Sequence, residues 1–320
     1  MTHPGPPRAR THHPDQKSAT SDGKQRHMAA QTPHGEPQFT ENQPRHTRRD
    51  LTRGVGCTVR GVLSFNVESM QAAAAAPVRV VERITYLPAE GEPVSAGLGF
   101  DWDAQPLEVA SPIRRIASYK GQKNYAGLWW CATTNRHVAY ESWVERDFVI
   151  SADHDRAVVG MAAQPFRLDF VIDGEACSHV PDFFLRYDDG RGDVVDVRPD
   201  ALIGPGDRVV FGETARVCEQ VGWSYRRVGE LPPVRLSNLR WLAGYRHRRV
   251  FDVDVGRELV TMVRGSGQVS IGELASRVGH PVAVLPSLFH LLWTHALQTR
   301  LDELLLSTES MVTENLCHGR

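Results

Sequence analysis

The sequence predicts a mixed α/β core followed by a small, mainly helical domain. Two observations favour this class. Between residues 107 and 249, segments with helical or strand periodicity follow in the order helix, three strands, helix, strand. Nearer the carboxyl terminus, a capping-box sequence from Ser270 to Glu273 opens a run of helical patterns. The chain has 320 residues, which is long enough for more than one hydrophobic core.

The amino-terminal segment differs from the rest in composition. Residues 1–53 are rich in Pro, His, Gln, Thr and Arg and nearly free of large aliphatic side chains. Such a segment buries too little apolar surface to offset the entropy of ordering it. We therefore expect a disordered tail over residues 1–70, a core domain over residues 71–249 and a helical domain over residues 250–320.

Each element of the core domain has a local signal. Trp143, Val144 and Phe148 are apolar at helical spacing, which predicts a helix over Glu141–Ile150. Alternation of apolar and polar residues predicts strands, and Gly222 is expected to stop a second helix. The strands are expected at Phe166–Asp173, Asp182–Tyr187, Asp193–Arg198 and Trp223–Gly229, and the second helix at Asp207–Gly222.

The carboxyl-terminal domain shows a winged-helix-like pattern. Ser270 is expected to cap a helix that ends at Gly279, and a second helix is expected from Pro286 to Leu297. Residues 299–307 are predicted to form a strand or a wing. A helical appendage with a structural or protein-docking role explains the same pattern equally well.

Composition excludes some classes of function. The net charge is −1, with 41% hydrophobic and 23% charged residues, so any contact with DNA must come from a local patch. No apolar run reaches the length of about 18 residues that a membrane span needs. The five cysteines form no CxxC pair, which predicts reduced thiols in the cytoplasm and gives no zinc signal.

Three acids and one cation are candidate site residues. Asp182 follows Pro181 at the start of a strand, and Asp196 and Arg198 alternate on the next strand, so the latter two share one face. A hairpin of this length brings Asp182 beside Asp196, and Glu145 on the preceding helix supplies a third oxygen ligand. Mg²⁺ prefers such ligands. Phosphodiester hydrolysis needs that ion to polarise the phosphate, with a cation nearby to stabilise the developing charge.

This is the PD…(D/E)xK arrangement of the restriction-endonuclease-like nucleases, with Arg198 where lysine usually stands. Two structural roles compete with it: Asp182 capping a turn, and Asp196 with Arg198 forming a ladder pair on the surface. The apolar strand around Asp196 favours the site, because a buried acid is costly unless it binds something. We therefore expect a restriction-endonuclease-like mixed sheet core flanked by helices.

Several longer motifs resemble the TnsA-like heteromeric transposase endonuclease subunits. They follow in the family's order and spacing between about residues 119 and 249. The resemblance places the family's glutamate on Glu145 rather than Glu141, its motif aspartate on Asp182 and its cation on Arg198. The motifs are GLWWCATTNRHVAYES, YESWVERDFVI, VVGMAAQPFRL, SHVPDFFLRYDDG, VVDVRPD and ETARVCEQVGWSYRRVGE.

The resemblance implies a function as well as a fold. Asp196 matches a position where the family carries an amide or an acid, so Glu145, Asp182 and Asp196 are expected to bind Mg²⁺, or Mn²⁺ in its place. The implied reaction is the cutting of DNA at transposon ends, on the strand opposite that handled by a DDE-type transposase subunit. The family also implies an AAA+ ATPase regulator that docks on the carboxyl-terminal domain.

Arg198 departs from the family pattern. Arginine stays protonated, so it acts as a fixed cation and not as a proton acceptor. Either the metal alone activates the water and the enzyme is active, or the subunit is a catalytically inactive DNA-binding or assembly factor. We favour activity, because all three acids remain. Phosphate contacts, weakening as salt rises, are predicted for Lys120, Lys123, Arg246, Arg248 and Arg249.

Overall fold

The computed structural model describes residues 82–114, 125–172 and 174–315. It confirms a mixed α/β fold, with six α-helices and several β-sheets among these residues. The tail expected over residues 1–70 lies outside the described residues. Within the described ranges, every helix is too short or too polar to cross a bilayer.

The first sheet is antiparallel and has the strand order β2-β1-β6-β7. Phe166, Leu168 and Phe170 are buried on one of its faces, as the period-two pattern predicts. They pack in a hydrophobic cluster with Val210 and Trp223. The strands are β1 (Arg83–Tyr86), β2 (Val94–Gly97), β6 (Phe166–Ile172) and β7 (Glu175–His179).

The second sheet is mixed and has the strand order β10-β9-β8-β5. Its neighbours pair antiparallel except β9 and β10, which are parallel and are connected through helix α2, Pro205–Gln220. A parallel pair needs such a crossover. Gly222 follows α2 with a φ of 86°, which matches its predicted role as a helix stop. The strands are β5 (Val158–Ala163), β8 (Phe183–Tyr187), β9 (Gly192–Val197) and β10 (Ser224–Val228).

The predicted helix after residue 140 is helix α1, Trp143–Asp153. It starts two residues later than expected, because Ser142 is its N-cap and accepts a hydrogen bond from the Glu145 amide. Trp143, one of the apolar residues at helical spacing, is 43% exposed and does not face the core. A hairpin that the periodicity did not predict precedes α1 and consists of β3 (Gly127–Cys131) and β4 (Arg136–Tyr140).

The carboxyl-terminal part contains four helices and a three-stranded sheet in the order β11-β13-β12. Ser270 caps α5 by accepting a hydrogen bond from the Glu273 amide, and Gly279 follows the helix, as predicted. The elements are α3 (Pro233–Leu242), α4 (Val253–Ser266), β11 (Gln268–Ser270), α5 (Ile271–Val278), α6 (Pro281–Trp293), β12 (Leu297–Gln298) and β13 (Met311–Glu314).

Two expectations for this part are corrected. Helix α6 begins at Pro281, and Pro286 lies inside it instead of starting it. Residues 299–307 form turns and no strand. Three of their backbone groups bond the Asn238 side chain, namely the carbonyl oxygens of Leu301 and Leu304 and the amide of Leu306.

Helix α3 packs with the carboxyl-terminal helices. Leu239 and Leu242 are fully buried in one cluster with Leu259, Val263 and Leu288. Residues assigned to the core domain by the sequence therefore contribute to the helical core. The division at residue 249 stays a prediction.

Candidate active site

Asp182 lies at the start of β8, one position beyond the antiparallel pair of Phe183 and Val195. This register places it across from Asp196, as the hairpin length predicts. Its Oδ2 accepts a hydrogen bond of 2.8 Å from the Val197 amide, and its carbonyl oxygen accepts one of 2.8 Å from the Gln164 amide. The side chain and the backbone carbonyl of Asp182 are thus each held by a neighbouring segment.

The surroundings of Asp182 disfavour its charge. Burial raises its pKa well above the usual range of an aspartate, and the charges of Asp196 and Glu145 raise it further. The hydrogen bond from Val197 and the charge of Arg114 act in the opposite direction but are the smaller effects. The three predicted acids therefore lie close enough to interact electrostatically.

Glu145 occupies the first turn of α1 and bonds back to the two residues before the helix. Its Oε2 accepts a hydrogen bond of 2.7 Å from the Glu141 amide, and its Oε1 accepts one of 2.9 Å from the Ser142 hydroxyl. Burial raises the pKa of Glu145, and the charge of Glu141 adds to the increase. The two hydrogen bonds and the charge of Arg114 oppose it. Both carboxylate oxygens of Glu145 therefore accept hydrogen bonds at the amino-terminal end of α1.

Asp196 is 3% exposed and is held by two residues that the sequence reasoning missed. His179 Nε2 lies 2.9 Å from Oδ2 and 3.1 Å from Oδ1, and the Tyr225 hydroxyl donates to Oδ2 at 2.7 Å. His179 belongs to the first sheet and Asp196 to the second, so this contact joins them. The one available signal was that His179 precedes the Pro-Asp motif in SHVPD.

Arg198 follows β9, and its amide donates to the Val228 carbonyl oxygen at 2.8 Å. Its guanidinium lies 3.7 Å from the Asp207 carboxylate in the first turn of α2, and Nη2 lies 3.5 Å from the Leu202 carbonyl oxygen. The side chain is 24% exposed. The predicted cation therefore lies at the end of the same strand as Asp196, beside the start of α2.

A second cation, Arg114, was not predicted from the sequence. It forms a bidentate ion pair of 3.0 and 2.7 Å with Glu141, and its side chain is 46% exposed. In the amide orientation that satisfies both the oxygen and the nitrogen of Gln164, the oxygen accepts a hydrogen bond of 3.2 Å from Arg114 Nη2. The charge of Arg114 lowers the pKa of both Asp182 and Glu145. Arg114 therefore acts electrostatically on two of the three acids.

The three acids supply the hard oxygen ligands that Mg²⁺ prefers, and a cation among them would relieve the repulsion around Asp182. Their side chains, however, are not arranged as a ready ligand shell. Among the described residues, no three His, Cys, Asp or Glu side chains are grouped to hold a metal. Since protein sites for Mg²⁺ commonly use one or two carboxylates together with water and phosphate oxygens, the donor set fits that ion.

The predicted DNA contacts divide into three kinds. Lys120 and Lys123 lie outside the described residues. Arg246 is half-buried: its guanidinium lies 3.9 Å from the centre of the Trp129 ring, and Nε donates to the Trp130 carbonyl oxygen at 3.0 Å. Arg248 and Arg249 are exposed. The last two are the side chains that remain accessible to a phosphate.

Comparison with known proteins adds no relative. Neither a scan against protein-family models nor a search of curated proteins gives a match. The resemblance to the transposase endonucleases stays a prediction from the motifs in the chain.

Proposed function

We propose that this chain is the metal-dependent DNA endonuclease subunit of a heteromeric, TnsA-like transposase. The observation that carries the proposal is the cluster of Asp182, Asp196 and Glu145. They come from three separate elements, yet two of them raise the pKa of the third. Acids kept together against their repulsion, with a perturbed pKa, are typical of sites that bind a cation or perform catalysis.

The architecture supports the fold that the proposal requires. A mixed sheet with α1 and α2 beside it is compatible with a restriction-endonuclease-like core. The order α4, β11, α5, α6, β12, β13, with its three-stranded sheet, supports a winged-helix-like domain.

The buried surface of α6 supports a partner-binding role for that domain. All residues from Ser287 to Trp293 are buried, so this half of the helix has no face to place in a DNA groove. A protein-docking domain fits better than a reader of DNA sequence. The partners we propose are a DDE-type transposase subunit and an AAA+ ATPase regulator, with transposon ends as the DNA substrate.

Each residue of the site has a role in the proposed reaction. Asp182, Glu145 and Asp196 would hold Mg²⁺, or Mn²⁺ in its place, and the bound ion supplies a polarised phosphate and an activated water. His179 and Tyr225 fix the orientation of the Asp196 carboxylate. The guanidinium groups of Arg198 and Arg114 offer positive charge to the phosphate as its negative charge develops.

A second function is favoured by a specific observation. Both oxygens of Glu145 are used in the helix cap, and both oxygens of Asp196 face His179. A subunit that keeps its acids in such bonds throughout would be a catalytically inactive DNA-binding or assembly factor. The two functions differ in whether the acids bind a metal.

A titration of Mn²⁺ into the full-length chain separates them. We expect calorimetric binding that is lost in Asp182→Asn and retained in Asp169→Asn. Asp169 is a suitable control because it lies on β6 in an exposed ion pair with Arg167. Mn²⁺ binding that is absent from the wild-type chain would support the inactive subunit instead.

Cleavage is tested with the transposase partner, transposon-end DNA and Mg²⁺. We expect Asp182→Asn to lower the cutting rate by about 100-fold or more, since loss of one group that stabilises transition-state charge has effects of this order. Asp169→Asn should cut at the wild-type rate. An inert wild-type complex would contradict the proposed activity.

A further inference from the structure

Two exposed aromatic side chains meet at the beginning of α1. Tyr125 is 61% exposed and Trp143 is 43% exposed. Their ring centres are 5.0 Å apart, and the ring planes are inclined by 33°. Aromatic rings of this size usually cover a core or contact a ligand, because exposing them to water is unfavourable.

A cation accompanies the pair. The Arg146 guanidinium lies 4.1 Å from the centre of the Trp143 ring, one turn along the same helix. It also donates to Asp147 Oδ1 at 3.0 Å, which fixes its position. An exposed aromatic pair with a held cation over one of its rings matches the chemistry of a nucleotide, whose base stacks and whose phosphate is negative.

The pair lies at the same end of α1 as a candidate catalytic acid. Trp143 is the first residue of the helix, and Glu145 is in the same turn. Ser142, immediately before Trp143, donates a hydrogen bond to Glu145. Trp143 and Glu145 thus belong to the same first turn of the helix, although side chains two positions apart point to different sides of it.

Trp241 is also an exposed tryptophan, but its surroundings differ from those of Trp143. Trp241 is 55% exposed, but its ring meets that of the buried Phe289 edge to face at 5.9 Å. It thus covers part of the helical core. The ring contacts described for Trp143 are with Tyr125 and Arg146, which are themselves at the surface or half-buried.

We propose that Tyr125 and Trp143 form a stacking site for an unpaired base of the DNA strand next to the cleavage site. This assignment rests on the proposed endonuclease function. The ligand class is single-stranded DNA: a base stacks on the rings and an adjacent phosphate lies near Arg146. A paired base inside a duplex offers no free face to such a platform.

The test measures binding of fluorescein-labelled 12-nucleotide oligodeoxythymidylate to the full-length chain by anisotropy, in EDTA. We expect Trp143→Ala to weaken binding about 10-fold, within the range for loss of one stacked base. Trp143→Phe should retain most of the affinity, and Trp241→Ala should bind as wild type does. An abasic oligomer of equal length should show no difference between wild type and Trp143→Ala.

Three results would overturn the proposal. The first is wild-type affinity in Trp143→Ala, and the second is an equal loss on the abasic oligomer. The third is no binding to the wild-type chain at about 100 μM, the weak end of ordinary non-specific affinity. The binding assay contains no metal, so its result does not depend on cleavage. A chain that binds through base stacking but cuts no DNA would contradict the proposed endonuclease function and support the stacking site.

Discussion

Two acids near α1 are surrounded by very different partners. Asp153, the last residue of the helix, is 4% exposed, and its carboxylate accepts four hydrogen bonds. The donors are Trp129 Nε1 at 2.9 Å, Cys131 Sγ at 3.1 Å and the amides of Ala132 and Thr133 at 3.1 and 2.9 Å. These bonds attach the β3–β4 hairpin to the end of the helix.

Asp182 has the opposite surroundings. Among the described residues, its carboxylate accepts a hydrogen bond from the Val197 amide and faces the charges of Asp196 and Glu145. The charge of Asp153 is stabilised by donors, whereas that of Asp182 is opposed by acids. The difference separates a structural acid from a candidate functional one: Asp153 is buried among donors, and Asp182 is half-buried among acids.

The largest effect on the free energy of unfolding is expected at Asp153, the structural acid. Asp153→Asn replaces an acceptor with an amide that faces donors, so we expect the free energy of unfolding to fall by about 3 kcal/mol, as for buried groups left unpaired. Urea unfolding measures it. Asp302→Asn, which removes an exposed ion pair with Arg235, should cost less than about 1 kcal/mol. A loss as small for Asp153→Asn would show that Asp153 is not a structural acid.

The same contrast applies to arginines. Arg246 stacks on Trp129, beside the Asp153 site, and bonds two carbonyl oxygens. We expect Arg246→Ala to lower the free energy of unfolding by about 1–2 kcal/mol, from a lost cation–π contact and lost hydrogen bonds. Exposed Arg249→Ala should change it by less than about 0.5 kcal/mol. Equal unfolding midpoints for the two variants would contradict the structural role of Arg246.

The smallest effect on the free energy of unfolding is expected at Asp182, where the substitution should stabilise the protein instead of destabilising it. The raised pKa means that the folded state binds the proton more tightly than the unfolded state. Stability from this group is present below the unfolded pKa of about 4 and is lost as pH rises through the raised value. Asp182→Asn should therefore be more stable than wild type at pH 8 in EDTA.

Urea midpoints at pH 5 and pH 8 test this sign. The advantage of Asp182→Asn over wild type should grow from the lower to the higher pH. If the variant is instead less stable than wild type at pH 8, Asp182 is a structural acid like Asp153.

Much of the fold follows from local signals. The strands β6, β8 and β9 and the helix α2 have their own periodicity, and Gly222 and Ser270 have the chemistry of helix ends. The β3–β4 hairpin was missed because β3 is a nearly continuous run of large side chains without alternation. Its turn contains Asn135 at a φ of 53°, a signal that was available in the sequence.

The site was predictable in part. Asp182 and Asp196 share a hairpin, so their proximity follows from strand spacing. His179 comes from the other sheet and Tyr225 from a parallel strand reached through α2, and Arg114 comes from a segment before the hairpin. No local pattern relates these residues to the acids.

The sequence by itself determined many of the element types and the helix ends at Ser270 and Gly222, because these depend on neighbours within a few residues. Only the tertiary structure decided that Asp153 is satisfied, that Asp182 is crowded by acids, and that Arg114 acts on the cluster. The physical reason is that the free energy of a charge depends on every donor, acceptor and charge around it in space. Those groups come from segments far apart in the chain.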